Sequence, residues 1–213
     1  MDLSNPINAV IPSLDGEILT VLSRTTRPLT GRQIADLADR GSQSGVRLTL
    51  IRLEEQGVVL AESAGRSILF RANREHLLWG AVEELLRVAA LTIRLLQERI
   101  LSVMASAIEP SALDGTTIAF FGSVARGTST TQSDIDLVVV FPESVPAEQS
   151  QVAVDRITAG VARWTGNQCN IYATTDTALD QMVLEVDPMI GSWSREAVTF
   201  NGPDLGELLR SLS

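Results

Sequence analysis

Two aspartates, separated by a single isoleucine, stand at the start of an apolar run in the stretch SDIDLVVVF. The β-branched and aromatic residues of this run predict a buried β-strand. Side chains two positions apart in a strand point to the same side, so the carboxylates of Asp134 and Asp136 are expected to converge. Two close carboxylates repel each other unless a cation lies between them. Oxygen ligands, with no histidine or cysteine in the neighbouring sequence, favour Mg²⁺ or Mn²⁺, and they make Asp134 and Asp136 the candidate metal ligands.

A glycine–serine pair precedes these aspartates by ten residues. The run TTIAFF predicts a strand that ends at Gly122, and SVARG predicts the first turn of a short helix. Backbone amides at such a turn can bind phosphate oxygens, which makes Gly122 and Ser123 candidate phosphate-binding residues. Arg126 lies within one helical turn and could add a guanidinium group, or it could be an ordinary surface arginine. Together these features predict a site for a divalent cation and a triphosphate.

The order of these residues resembles a known signature. Gly122 and Ser123, then ten residues, then Asp134 and Asp136 resemble the G-S-x10-D-x-D signature of the DNA polymerase β-like nucleotidyltransferase superfamily, and most closely its minimal prokaryotic members. The resemblance covers about residues 111–200. It implies that the glycine and serine bind the β- and γ-phosphates of an NTP. It also implies that the two aspartates are catalytic and that a nucleoside monophosphate is transferred with the help of two metal ions.

One expected part of that site is missing. Active members of the superfamily usually have a third carboxylate on a later strand, and the corresponding position here is Asn170, in the predicted strand QCNIYATT. No acidic residue occurs between Asp155 and Asp176. Asparagine could ligate a metal through its carbonyl oxygen, but it cannot accept a proton, and loss of a general base costs about 10²–10⁴ in rate. Two functions therefore stand open: a nucleotidyltransferase with an unknown acceptor, and a transcription regulator whose degenerate domain senses a nucleotide without catalysis.

The first third of the chain has a different pattern. Helices are predicted over residues 15–23, from Thr30, and over residues 45–57, and two short strands follow around a turn at residues 64–66. This order resembles the winged helix-turn-helix domain of bacterial transcription regulators over about residues 13–74. The resemblance implies that the third helix enters the major groove of double-stranded DNA. The candidate DNA-binding residues are Gln43, Ser44, Arg47, Thr49 and Arg52 on that helix and Arg66 at the hairpin tip. The alternative is a winged helix used for protein contact or dimerisation.

Charge is unevenly distributed along the chain. Residues 1–75 hold nine arginines and nine acidic residues, whereas residues 76–213 hold eight arginines and seventeen acidic residues, which gives the net charge of −9. The neutral first third predicts weak non-specific affinity for nucleic acid. The chain has no lysine, which excludes a catalytic lysine and a Walker-type phosphate lysine.

A long apolar pattern joins the two halves. Residues 75–110 contain a single internal glycine and no proline before Pro110, and their apolar residues recur at spacings of three and four. This pattern predicts one long helix with two apolar stripes, one of which would pair with the same helix of a second chain in a homodimer. The alternative is a helix buried within one subunit. The predicted organisation is a winged helix-turn-helix domain over 1–74, a connecting helix over 75–110 and a nucleotidyltransferase domain over 111–213. The predicted fold class is α/β (α+β), with a mixed sheet flanked by helices.

Composition indicates the compartment. The single cysteine, Cys169, cannot form an internal disulfide, and the apolar runs are shorter than the roughly 18 residues of a membrane span. The first residues lack the basic segment of a signal peptide. We therefore expect a cytoplasmic protein, associated with the nucleoid through DNA and without a membrane partner.

Overall fold

Three helices and a hairpin form most of residues 5–91 in the computed structural model, which describes residues 1–38 and 40–212. This segment is one compact unit, named here the amino-terminal unit. Its elements are a 3₁₀ helix Pro6–Ala9, α1 Leu14–Ser23, β1 Leu29–Thr30, α2 Gly31–Leu37, α3 Gln43–Glu55, β2 Val59–Ala64, β3 Ser67–Ala72 and α4 Trp79–Ala90. The strands form an antiparallel sheet in the order β1-β3-β2. The predicted order of three helices followed by a hairpin is confirmed.

Local signals in the sequence explain where these helices begin. The Thr30 hydroxyl accepts the Gln33 amide N–H at 3.2 Å, while the Gln33 side chain accepts the Thr30 N–H at 2.9 Å, so the predicted capping box forms. Ser42 caps α3 by accepting the Gly45 N–H at 3.1 Å. The apolar faces of α1, α2 and α3 then meet in one core, in which Leu22, Ile34 and Leu50 are fully buried.

The second unit comprises the chain from Thr92 onward together with Met1–Ser4, and is named here the carboxy-terminal unit. Its helices are α5 Thr92–Ala105, α6 Pro110–Gly115, α7 Gly122–Ala125, α8 Ala147–Thr165, α9 Asp176–Leu184, α10 Pro188–Glu196 and α11 Leu205–Leu212. Its strands are β4 Thr117–Phe121, β5 Ile135–Phe141, β6 Cys169–Thr175 and β7 Val198–Asn201.

These four strands form one mixed sheet in the order β6-β5-β4-β7. β5 and β6 are parallel, and the other neighbouring pairs are antiparallel. Alternate residues of β5 lie in two different cores. Leu137 and Val139 pack with α5 and α8, whereas Val138 and Val140 pack with α9, α10 and α11. This explains why β5 is apolar along most of its length, and the predicted mixed sheet with flanking helices is confirmed.

The predicted connecting helix differs from the structure. Instead of one helix over 75–110, the structure has α4 and α5 with Leu91 between them, and the chain passes from one unit to the other at this point. Leu91 leaves the helical conformation (φ −96°, ψ 6°). The reason is that Trp79 and Leu86 pack in the core of the amino-terminal unit, whereas Ile100 packs in that of the carboxy-terminal unit.

The observed helices also begin and end at different residues from those predicted. At the start, the Leu78 N–H bonds to Nδ1 of His76 at 3.2 Å, and α4 begins only at Trp79. At the other end, α5 stops at Ala105, and Pro110 begins α6 instead of ending a long helix. Proline fits the first turn of a helix because its missing N–H would have no helical partner there. Among residues 1–38 and 40–212, no helix combines the length and the apolar character that a bilayer span requires.

Candidate functional site

The two aspartates lie at the start of β5. Asp134 precedes the strand and Asp136 is its second residue, on the face that packs against α9, α10 and α11. The side-chain amide of Asn170 donates to Oδ2 of Asp134 at 3.2 Å and to Oδ1 of Asp136 at 3.1 Å. Because one amide group reaches both carboxylates, the two acids lie side by side as their spacing predicts.

Asn170 occupies the position that the sequence indicates for a third acidic residue. It lies directly opposite Asp136 in the parallel pairing of β5 and β6. Among residues 1–38 and 40–212, no cluster of three or more His, Cys, Asp and Glu side chains could hold a metal ion. The donor set is therefore two carboxylates and one amide. It fits a hard divalent cation if the amide turns to present its oxygen, since the amide nitrogen now faces the carboxylates.

Gly122 borders the same carboxylates for a steric reason. Its φ is +67°, and a Cβ at this position would lie 2.5 Å from Oδ2 of Asp136. Any larger residue would displace that carboxylate. Ser123 follows in α7, a single turn of four residues, so the predicted short helix is present but adds little helix dipole.

The loop between α7 and β5 is fixed by polar contacts. The Thr130 N–H donates to Oγ of Ser133 at 2.9 Å. The buried side chain of Asn167 donates to the Ser133 carbonyl oxygen at 2.8 Å, and the Ile135 N–H donates to the Gln168 carbonyl oxygen at 2.9 Å. These bonds fix the position of Asp134, which lies just before β5 and is not part of its strand pairing.

Arg126 forms an ion pair with Glu196, the last residue of α10. The Glu196 carboxylate also accepts the Ser192 hydroxyl at 2.6 Å. The bonds from Ser192 and Arg126 lower the pKa of Glu196 below its ordinary value. The sequence gives no local signal for Glu196, because it lies 70 residues from Arg126 in the chain.

Cys169 begins β6, beside the site. Burial, with a smaller effect from the negative charge of Asp136, raises the pKa of its thiol to about 12. The group therefore stays protonated at neutral pH and belongs to the apolar packing around the sheet.

In the amino-terminal unit, three of the candidate DNA-binding residues lie together. Gln43, Ser44 and Arg47, at the start of α3, line a cavity of about 460 Å³ that is also lined by Arg32 and Ile68. Arg32 and Ile68 come from α2 and β3, and the pattern of α3 alone does not indicate them. Their proximity depends on how α2 and the hairpin pack against α3.

The other candidate residues lie elsewhere. Arg52 forms an ion pair with Asp15 of α1, Thr49 is half-buried, and Arg66 is exposed in the turn between β2 and β3. Leu48, also outside the sequence prediction, is 67% exposed on α3.

Comparison with protein families identifies the central part of the chain. Residues 104–167 match the family described as "Nucleotidyltransferase domain". This segment includes Gly122, Ser123 and both aspartates, and it ends three residues before Asn170. This segment is therefore similar to a nucleotidyltransferase domain. No curated protein matches the chain.

Several solved structures are similar to parts of the chain. A toxin–antitoxin crystal structure with AMP-PNP is 16% identical, covers 55% of this chain and 82% of its own, and has a TM-score of 0.35. A putative nucleotidyltransferase from Sulfolobus solfataricus is 20% identical, covers 49% and 82% respectively, and has a TM-score of 0.27. The archaeal chromatin protein TrmBL2, described as showing a novel mode of DNA binding, is 16% identical, covers 85% and 68%, and has a TM-score of 0.26. Similarities at this level assign no activity.

Proposed function

We propose that this protein is a Mg²⁺-dependent nucleotidyltransferase that transfers a nucleoside monophosphate from an NTP to an acceptor hydroxyl. The observation that carries the proposal is the convergence of Asp134, Asp136 and Asn170 on one face of the sheet, directly beside Gly122. The family match over residues 104–167 supports the same class of reaction.

Each residue has a distinct part in this reaction. Asp134 and Asp136 would hold Mg²⁺ (or Mn²⁺), which when bound would activate the acceptor hydroxyl and neutralise charge on the leaving pyrophosphate. Gly122 leaves the space that the Asp136 carboxylate needs, and Gly122 and Ser123 bind the β- and γ-phosphates. Arg126 adds a guanidinium group for the same phosphates once it leaves Glu196. Asn170 orients both aspartates and does not accept a proton.

Asn170 also supports a second candidate function. Without a third carboxylate, the acceptor hydroxyl has no protein base opposite the aspartate pair, and the missing base costs about 10²–10⁴ in rate. The same site would then bind a nucleotide and report its presence to the amino-terminal unit, as in a nucleotide-sensing transcription regulator.

Turnover distinguishes the two candidates. The protein is incubated with Mg²⁺ and labelled ATP, CTP, GTP or UTP, and both pyrophosphate release and label transfer are measured. We expect turnover that is lost in Asp134→Asn and Asp136→Asn and kept in the control Asp180→Asn, an exposed carboxylate of α9. Saturable binding with no product would reject the transferase and favour the sensor.

We further propose that the amino-terminal unit binds double-stranded DNA through α3 and the β2–β3 hairpin. Arg47 and Arg66 are exposed, and neither forms an ion pair with any residue in 1–38 or 40–212. A guanidinium that is free of carboxylates can bind phosphates or guanine edges in pairs of hydrogen bonds. Gel shifts with the protein's own promoter region should show binding that weakens in Arg47→Ala and Arg66→Ala. No binding to any sequence at low salt would refute this part.

A homodimer and a nucleoid-associated cytoplasmic location remain part of the proposal. Leu77 and Leu78, just before α4, are 99% and 63% exposed, and an exposed apolar surface of this kind can pair with a second chain. Sedimentation equilibrium of the full chain tests this assembly, and a monomer mass at micromolar concentration would contradict it.

A further inference from the structure

Glu196 bonds to a group that the proposed function assigns to the triphosphate. It forms an ion pair with Arg126. A carboxylate and a phosphate oxygen use the same donors, because both are anions that accept hydrogen bonds from guanidinium and amide N–H groups.

The carboxylate is held there from its own helix as well. Ser192, one turn earlier in α10, donates its hydroxyl to Glu196 at 2.6 Å. The Glu196 side chain is only 19% exposed, whereas that of Arg126 is 51% exposed. The acid is therefore the fixed partner of the pair, and the arginine is the partner that can turn towards solvent or towards a ligand.

We propose that Glu196 is a competing anion: it occupies the Arg126 guanidinium in the ligand-free protein, and a triphosphate binds by displacing it from that group. This inference rests on the proposed function, because it needs the Gly122–Arg126 turn to be the phosphate site. It adds a residue of α10 to the determinants of nucleotide affinity, outside the segment that matches the nucleotidyltransferase family.

The competition has a measurable consequence. When an internal group occupies the site, only the molecules in which that group has moved away can bind the ligand. The apparent affinity is the intrinsic affinity multiplied by the fraction of such molecules. The substitution Glu196→Gln removes the charge that holds Arg126 but keeps an oxygen acceptor for the Ser192 hydroxyl. We expect it to tighten binding by about five- to tenfold, a modest gain because the Arg126 side of the pair is half exposed.

The experiment is calorimetric titration of the full chain with inorganic tripolyphosphate at fixed free Mg²⁺. This probe has no base, so the result does not depend on which nucleotide the site prefers. Wild type, Glu196→Gln, Arg126→Ala and the double variant are compared, and thermal unfolding shows whether each is folded. The expected result is a tighter dissociation constant for Glu196→Gln and less than a twofold difference between the double variant and Arg126→Ala.

Each other outcome overturns a distinct claim. If wild type binds and Glu196→Gln binds equally or more weakly, Glu196 does not compete, and only this inference fails. If Glu196→Gln improves binding equally with and without Arg126, the gain is general charge removal, and the inference also fails. If none of the four proteins binds tripolyphosphate, the turn is not a phosphate site, and the proposed function fails together with the inference.

Discussion

Gly122 is the residue whose substitution tests the geometry of the site most directly. Alanine there would keep the positive φ of +67° and place its Cβ 2.5 Å from Oδ2 of Asp136. The left-handed conformation costs an L-residue about 1–2 kcal/mol, and the clash adds to it. We expect Gly122→Ala to lower the free energy of unfolding by about 2–4 kcal/mol in urea denaturation.

Gly127 provides the matched control for that measurement. Its φ is +66°, almost the same, but a Cβ there would have no heavy atom of the described chain within 4 Å beyond its immediate neighbours. Gly127→Ala should therefore show only the backbone cost of about 1–2 kcal/mol. Equal losses for the two variants would mean that the Asp136 carboxylate yields without cost and that the close approach is unimportant.

Asn170 permits a test that combines substitution with metal. Asn170→Asp removes an amide that donates to two carboxylates at 3.1 and 3.2 Å and adds a third negative charge. Without divalent ions we expect a loss of about 1–2 kcal/mol, or roughly 4 °C in Tm. Mg²⁺ should raise the Tm of this variant more than that of wild type, because a cation relieves the added repulsion. Asn170→Ala, which lacks the charge, should show no such extra rise, and an equal rise in all three proteins would mean that residue 170 does not face the bound cation.

For single residues, the sequence predicts those positions in the site that follow from the periodicity of one strand. The convergence of Asp134 and Asp136 follows from the two-residue repeat of a strand, and Asn170 follows from the position of the next strand. Glu196 could not be predicted in this way. It reaches Arg126 only because α10 packs over the sheet, and neither residue's neighbours in the sequence indicate that contact.

Among the elements, α2 depends on a cap that the sequence alone identifies. Thr30 and Gln33 exchange hydrogen bonds at the start of this seven-residue helix. We expect Thr30→Ala to cost about 1 kcal/mol of unfolding free energy, because the Gln33 amide loses its partner. Thr20→Ala is the control, since its hydroxyl bonds to the Gly16 carbonyl oxygen inside α1, where alanine has the higher helix propensity. Similar losses for both threonines would contradict a specific role for the cap.

The connection between the units shows where sequence patterns stop being sufficient. Apolar residues continue at helical spacing from Leu78 through Leu96, and no glycine or proline lies near Leu91. The pattern therefore predicts one helix. The break arises because α4 and α5 contribute to two separate cores, which is a tertiary effect that no short window contains. The sequence does not predict the strand β7 for a similar reason: it has four residues and is defined by its pairing with β4.

At the scale of the whole molecule, the two units differ in net charge. The amino-terminal unit has ten arginines and ten acidic residues, so the net charge of −9 belongs to the rest of the chain. We expect a neutral unit of this kind to bind DNA through a few exposed guanidinium groups rather than through a general positive field. Whether an arginine of α3 is paired with a carboxylate of the protein should then decide how much it contributes to the affinity for DNA.

Arg47 and Arg52 make that expectation testable on a single helix. Arg47 lines the cavity at the start of α3, whereas Arg52 is paired with Asp15. The affinity of each variant for a duplex from the protein's own promoter region is measured across a series of salt concentrations. We expect Arg47→Ala to reduce the slope of log affinity against log salt by about 0.9, the value for one lost phosphate contact. Arg52→Ala should leave the slope unchanged, because the pair with Asp15 already occupies its guanidinium. The reverse order, with Arg52 carrying the salt dependence, would mean that its pair with Asp15 opens on DNA and that the interface runs along the far half of α3.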